Sequence, residues 1–214
     1  MYGKRHRGLP VVAAVAGLLV GSASTAVATA TTATDARVAF HAWTTTSDFA
    51  SGTGDGVFYL PGPRLGMVVT RPAGTTSYHD PYLNTDKTYD YSTWTSPTRR
   101  LDFGATELVA SWNAQTPTGT WLKVELNATM EDGASTGWLD MGHWASGDAD
   151  IHRTSVSPVA AGYGGVDTDT FTASAGHDVH AYQLRATLYR AAGSPRSPRL
   201  WQVGAFASAI PDRA

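Results

Sequence analysis

Two runs of alternating apolar and polar residues dominate the middle of the chain. In the first, Leu108, Ala110, Trp112 and Ala114 share one side. In the second, Leu122, Val124, Leu126 and Ala128 share one side, with Lys123, Glu125 and Asn127 opposite. Successive side chains of a strand point to opposite faces of a sheet, so this alternation predicts half-buried antiparallel strands. A Thr-Pro-Thr-Gly segment separates the runs. Its proline presets a negative φ and its glycine allows a positive one, which together reverse a chain. Glu107–Thr129 therefore reads as a β-hairpin.

Shorter alternating segments flank it. Strands are expected at Arg37–Thr44, Val57–Leu60, Leu65–Thr70 and Thr88–Thr95, and after the central stretch at Trp138–Trp144, Asp169–Ala173, His180–Arg190 and Leu200–Ser208. Arg71–Asp86, Ala145–Ser157 and the glycine-rich AAGYGG segment read as loops. No long helical period appears outside the N-terminus. About ten strands, frequent turn signals and an abundance of Thr, Trp and Tyr predict a single all-β domain, an antiparallel sandwich or jelly roll, over 37–210.

The N-terminus changes the picture of where the domain works. A basic MYGKRHRG, an apolar LPVVAAVAGLLVG and a small-residue tract ending in Ala26-Val27-Ala28 form the succession expected of a secretory signal peptide over 1–28. The apolar run is short for a membrane span. Residues 29–36 read as a disordered mature N-terminus, and the product is expected to be secreted. Cleavage removes three basic residues and no acidic one, taking the formal net charge from −2 to about −5. Nucleic acid and anionic membranes, which need a basic patch, are not expected partners. The sequence contains no cysteine, which removes thiol nucleophiles, cysteine-based zinc sites and disulfides together.

Several constellations remain. Gly133-Ala-Ser135-Thr-Gly137 fits the nucleophile-elbow pattern, but that motif needs a strand before it and a helix after it. Here it precedes a strand, so Ser135 reads as a loop residue. His177 and His180 lie three apart, on opposite faces if the segment is extended. Asp148, Asp150 and His152, with Asp167 and Asp169, form an oxygen-rich set that suits a structural calcium ion. The competing reading is a solvated acidic loop, and no other cofactor is expected. Trp112, in phase with Leu108, reads as core. Trp121 is in phase with Lys123 and Glu125, and Trp144 ends a strand that runs into the acidic loop. These two rings, with Asp148 and Asp150 beside them, are the expected glycan-stacking site, set against the alternative that loops cover both. Asp140 and Glu125 are the pair to inspect for glycoside hydrolysis, which needs two carboxylates in one cleft. Asn127-Ala-Thr129 is a glycosylation sequon.

The segments WTSPTRRL, SWNAQTPTGTWLKVELNA, MGHWASGDADIHRTSV, AYQLRATLYR and LWQVGAFASAIP carry a more specific signal. Together they resemble the N-terminal β-rich region of secreted actinobacterial proteins of the peptidase C39-like family, papain-like enzymes of the bacteriocin-processing type. The resemblance covers about 40–210. It implies a separate peptidase-like domain, carrying the Cys and His, that follows this region in a longer parent. Residues 211–214 would then be a tail or the start of a linker. No catalytic residue carries over, since no cysteine is present. The expectation is a non-catalytic accessory module whose partner is a cell-surface glycan or protein, or the downstream peptidase domain. A stand-alone carbohydrate-binding sandwich and a glycoside hydrolase are the alternatives.

Overall fold

The computed structural model describes residues 37–62, 65–149, 151–152 and 156–209, with backbone alone over 156–161. The expected signal peptide, the 29–36 segment, Asp150 and the 211–214 tail lie outside the described residues. In chain order the elements are β1 (Arg37–Trp43), α1 (Thr46–Ala50), β2 (Thr53–Asp55), β3 (Val57–Leu60), β4 (Gly66–Val69), β5 (Gly74–Asp80), β6 (Thr85–Thr95) and β7 (Arg99–Ala105). Then come β8 (Glu107–Gln115), β9 (Thr120–Met130), β10 (Leu139–Trp144), β11 (Val156–Ala161), β12 (Gly164–Thr168), β13 (Thr170–Ala173), β14 (Val179–Ala191) and β15 (Arg199–Ala209).

These strands form two antiparallel sheets. The eight-stranded sheet runs β11-β12-β13-β8-β15-β4-β3, with β1 also paired to β15. The seven-stranded sheet runs β10-β9-β14-β6-β2, with β5 on β6 and β7 on β14. Alternation decides what lies between them. Leu108, Val203 and Ala205 from one sheet meet Leu122, Val124, Leu126, Leu184, Ala186 and Leu188 from the other, all essentially inaccessible. Burying apolar area on this scale is the main stabilising term of a domain without disulfides. The fold is the expected all-β antiparallel sandwich.

Two local expectations are corrected. Glu107–Thr129 is no hairpin: β8 pairs with β13 and β15, whereas β9 pairs with β10 and β14 in the other sheet. The 116–119 segment does reverse the chain, with Gly119 at φ +83 and the Thr120 N–H donating to the Pro117 carbonyl at 3.0 Å. What it makes is an arch from one sheet to the other. Hairpins and arches share the same alternation and turn chemistry, and differ only in which strands close beside them. The supposed loops also hold strands. β5 lies in Arg71–Asp86 with Tyr78 turned inward, and β11 and β12 span the acidic and glycine-rich segments. β7 and the short α1 were not expected at all. Thr45 and Asp48 form a capping box on α1, each side chain bonding the other's backbone N–H.

Candidate functional site: the outer face of the seven-stranded sheet

The residues that alternate out of phase with the core on β9, β14 and β6 line up across the sheet. The register gives one row of Trp121, Tyr189 and Tyr91, a second of Lys123, Thr187 and Thr93, and a third of Glu125, Arg185 and Thr95. All of these but Trp121 and Thr95 bound, with Thr75 and Thr76 from β5, an open recess of about 340 Å³.

One end of this face is closed by aromatic packing. Trp121 and Tyr189 stack with centroids 3.8 Å apart and planes at 7°, and Tyr78, Tyr89 and His143 pack around the indole. Burial drives the Tyr189 hydroxyl far above its ordinary range, with the negative charges of Glu125 and Asp140 adding to the shift. Tyr189 is therefore a neutral hydroxyl at any physiological pH. The other end is charged. Arg185 grips Glu125 through Nε at 2.7 Å and Nη2 at 2.8 Å, and Lys123 adds a third bond at 3.0 Å. The Trp138 ring lies 4.4 Å from the Arg185 guanidinium carbon, fixing the plane of the group. Fork-to-carboxylate pairing with an aromatic backing leaves these side chains little freedom.

The expected stacking platform needs correction. Trp121 does stand on the polar face of β9, but it is 2 % exposed because the β5–β6 hairpin and Tyr189 cover it. Trp144 is half-buried against the main core. A bulge between Asp140 and Gly142 shifts the phase of β10, so Trp144 comes opposite the inward Leu122. Trp112 lies on the core side as expected but is only partly buried. Asp148, Asp167 and Asp169 are exposed, and among the described residues no three acidic or histidine side chains converge as metal ligands. His152 belongs elsewhere: its backbone N–H donates to buried Asp80, which also accepts from Tyr82 and Leu83.

The hydrolytic candidates fare no better. Asp140 and Glu125 are cross-strand neighbours, as the pairing of two strands allows. Glu125 is consumed by Arg185 and Lys123. Desolvation pushes the Asp140 carboxyl up, but the His143 hydrogen bond and charge, the Gly142 N–H and Lys123 outweigh it and hold the group below its ordinary value. A glycosidase acid needs the opposite shift. Ser135 Oγ donates to Asn127 at 2.6 Å and accepts from Gly137 N–H, in a loop that no helix follows. His177 bonds Glu131 at 2.7 Å rather than pairing with exposed His180.

The family model for the Peptidase C39 N-terminal domain matches residues 39–208, almost all of the sandwich. The chain belongs to this family. No curated protein matches it. For this C39 N-terminal domain the absence of cysteine from the sequence excludes a thiol nucleophile within the chain itself. Arg185, Lys123 and Tyr189 are the residues of the outer face that sequence reasoning passed over. Their signal was the outward phase they share on two strands. Only strand pairing shows that those outward positions meet.

Proposed function

We propose that this domain is a non-catalytic module that positions a peptidase-like domain following it in the same polypeptide. The observation that carries the reading is an apolar patch on the outer face of the eight-stranded sheet, built on the last strand. Phe40 of β1 and Phe206 of β15 are register partners whose rings stack at 4.3 Å, yet they stay 48 % and 45 % exposed. Val38, on the same side of β1, is 65 % exposed, and Val109 continues the row beside Phe206. Single exposed apolar residues are ordinary, whereas adjacent ones on one face mark a contact surface. β15 ends at Ala209, beside this patch, so a domain joined after it would start within reach. The family's description as the N-terminal domain of a peptidase supports the same order of parts.

The source reading frame tests the first half. Translated past Ala214, it is expected to encode a domain with a Cys–His pair, and an immediate stop codon would overturn the proposal. In the longer protein, changing Phe40 and Phe206 together to Lys is expected to speed proteolysis of the connecting segment while the circular dichroism of the module stays unchanged. Unaltered cleavage would show that the patch is not the docking surface.

A further inference from the structure

We infer that the recess between Lys123, Arg185, Thr93 and Tyr189 binds a neutral oligosaccharide, a role separate from the docking of a following domain. Three features of the face lead there. First, it is charge-balanced. Lys123 and Arg185 meet Glu125, and Asp140 stands next to Glu125 across the β9–β10 pair, so the face has no excess of either sign to attract a polyion.

Second, it mixes fixed donors and acceptors at short range. The two cations and the hydroxyls of Thr75, Thr76, Thr93 and Tyr91 border one space, with Thr187, Tyr189 and the Glu125 carboxylate that holds both cations buried at its floor. A sugar hydroxyl donates and accepts at once, and a cluster of paired charges with neutral hydroxyls satisfies both functions. The half-buried ring of Tyr91 in the same wall offers apolar surface to sugar C–H groups. The groups are preorganised, since Arg185 is held by both Glu125 and Trp138 and Tyr189 by its stack on Trp121.

Third, the floor disfavours a peptide. Extended peptides bind sheets by adding a strand to a free edge. Here the floor strands are interior: β9 is paired to β10 and β14, β14 to β9 and β6, and β6, at Thr93, to β14 and β2. Their backbone groups are spent on one another, so recognition falls to side chains alone.

The test is titration of the purified full chain with cellohexaose, mannohexaose and the hexamer of N-acetylglucosamine, followed by calorimetry and amide chemical shifts. At least one is expected to bind saturably, with little dependence on salt and with shifts centred on Thr93, Lys123 and Thr187. Lys123→Met keeps the stem and leaves Glu125 to Arg185, and Thr93→Val keeps the shape. Each is expected to weaken binding about tenfold, the loss of roughly one hydrogen bond that matters, with the thermal midpoint little changed. No binding of any of the three by the folded chain would overturn the inference, as would binding that both variants leave intact. Tighter binding of polygalacturonate that falls with salt would replace it with an acidic-glycan site. Competition by an extended peptide would show that the floor argument fails.

Discussion

Tryptophans in this chain carry unequal weight. Trp94 is 1 % exposed, packs edge-on against Trp43 and Phe49, and donates from Nε1 to the Phe49 carbonyl at 2.9 Å. Trp112 lies at the rim of the same core with part of its ring in solvent. Trp94→Ala therefore leaves a large cavity and removes the indole hydrogen bond to the Phe49 carbonyl, which keeps the Gly52 N–H, and is expected to cost about 3–5 kcal/mol. Trp112→Ala is expected to cost about half of that, because less area returns to water and the rim can close. Urea denaturation of the two variants checks the order, and equal midpoint shifts would refute it. For Trp112 alternation identified the face but not the depth. Trp94 alternates with its neighbours much as Trp112 does, and what covers it is α1, whose Phe49 lies 45 residues before it in the sequence.

Among the elements, β1 is the one whose attachment can be tested cleanly. It is paired to β15 from Arg37↔Ala209 to Trp43↔Val203. Gly204 makes the close approach possible, since a Cβ there would come 2.4 Å from the His41 carbonyl oxygen and 2.8 Å from Ala42. Backbone cannot swing aside as a side-chain tip can. Gly204→Val is expected to pry β1 from β15 while the β8–β15 and β9–β14 ladders persist. Hydrogen exchange should then speed at Val38–Trp43 and stay slow at Leu122–Leu126 and Leu184–Leu188. Uniform acceleration would mean that β1 is not a separable element but part of the cooperative core. The arch from β8 to β9 belongs at this scale too. Its two strands were legible to within a residue, yet their assignment to one sheet was wrong, because the partners that capture them, β14 (Val179–Ala191) and β15 (Arg199–Ala209), lie much further on in the sequence.

For the whole molecule, acid is the informative stress. Glu131 accepts from His177 and from the Asp178 N–H, which hold its carboxyl down at about 2 against an ordinary value of 4.5. Burial pushes Asp80 up, but the N–H groups of Leu83, His152 and Tyr82 outweigh it, and the group is held below its ordinary value. Asp140 is depressed as well, and Asp48 through the Thr44 and Thr45 amides. A carboxyl whose folded pKa is depressed contributes stability that is complete above its unfolded pKa and disappears as pH falls through the folded one. Stability is therefore expected to hold from neutrality to about pH 5 and to fall steadily from there towards pH 2. Urea midpoints measured across that range check it, and a midpoint that rises on acidification would contradict the assigned hydrogen bonds. Glu131→Gln should flatten the lowest part of the curve.

Much of this was written in the residues themselves. Alternation at Leu122–Ala128 and at Leu108–Ala114 fixed strands and core faces, because the side-chain period of a strand is a local property. The lack of cysteine ruled out thiol chemistry on composition alone, and long distinctive segments pointed to the family. Pairing was not local. Whether Thr116–Gly119 closes a hairpin or an arch, whether Trp121 is a platform or a packed ring, and whether Lys123, Glu125 and Arg185 meet at all depend on β14 settling between β9 and β6. The bulge at Asp140–Gly142, which turned Trp144 inward, is likewise a consequence of register. Sequence determined which way each strand faces, and only the closing of distant strands decided what each outward residue faces across the sheet.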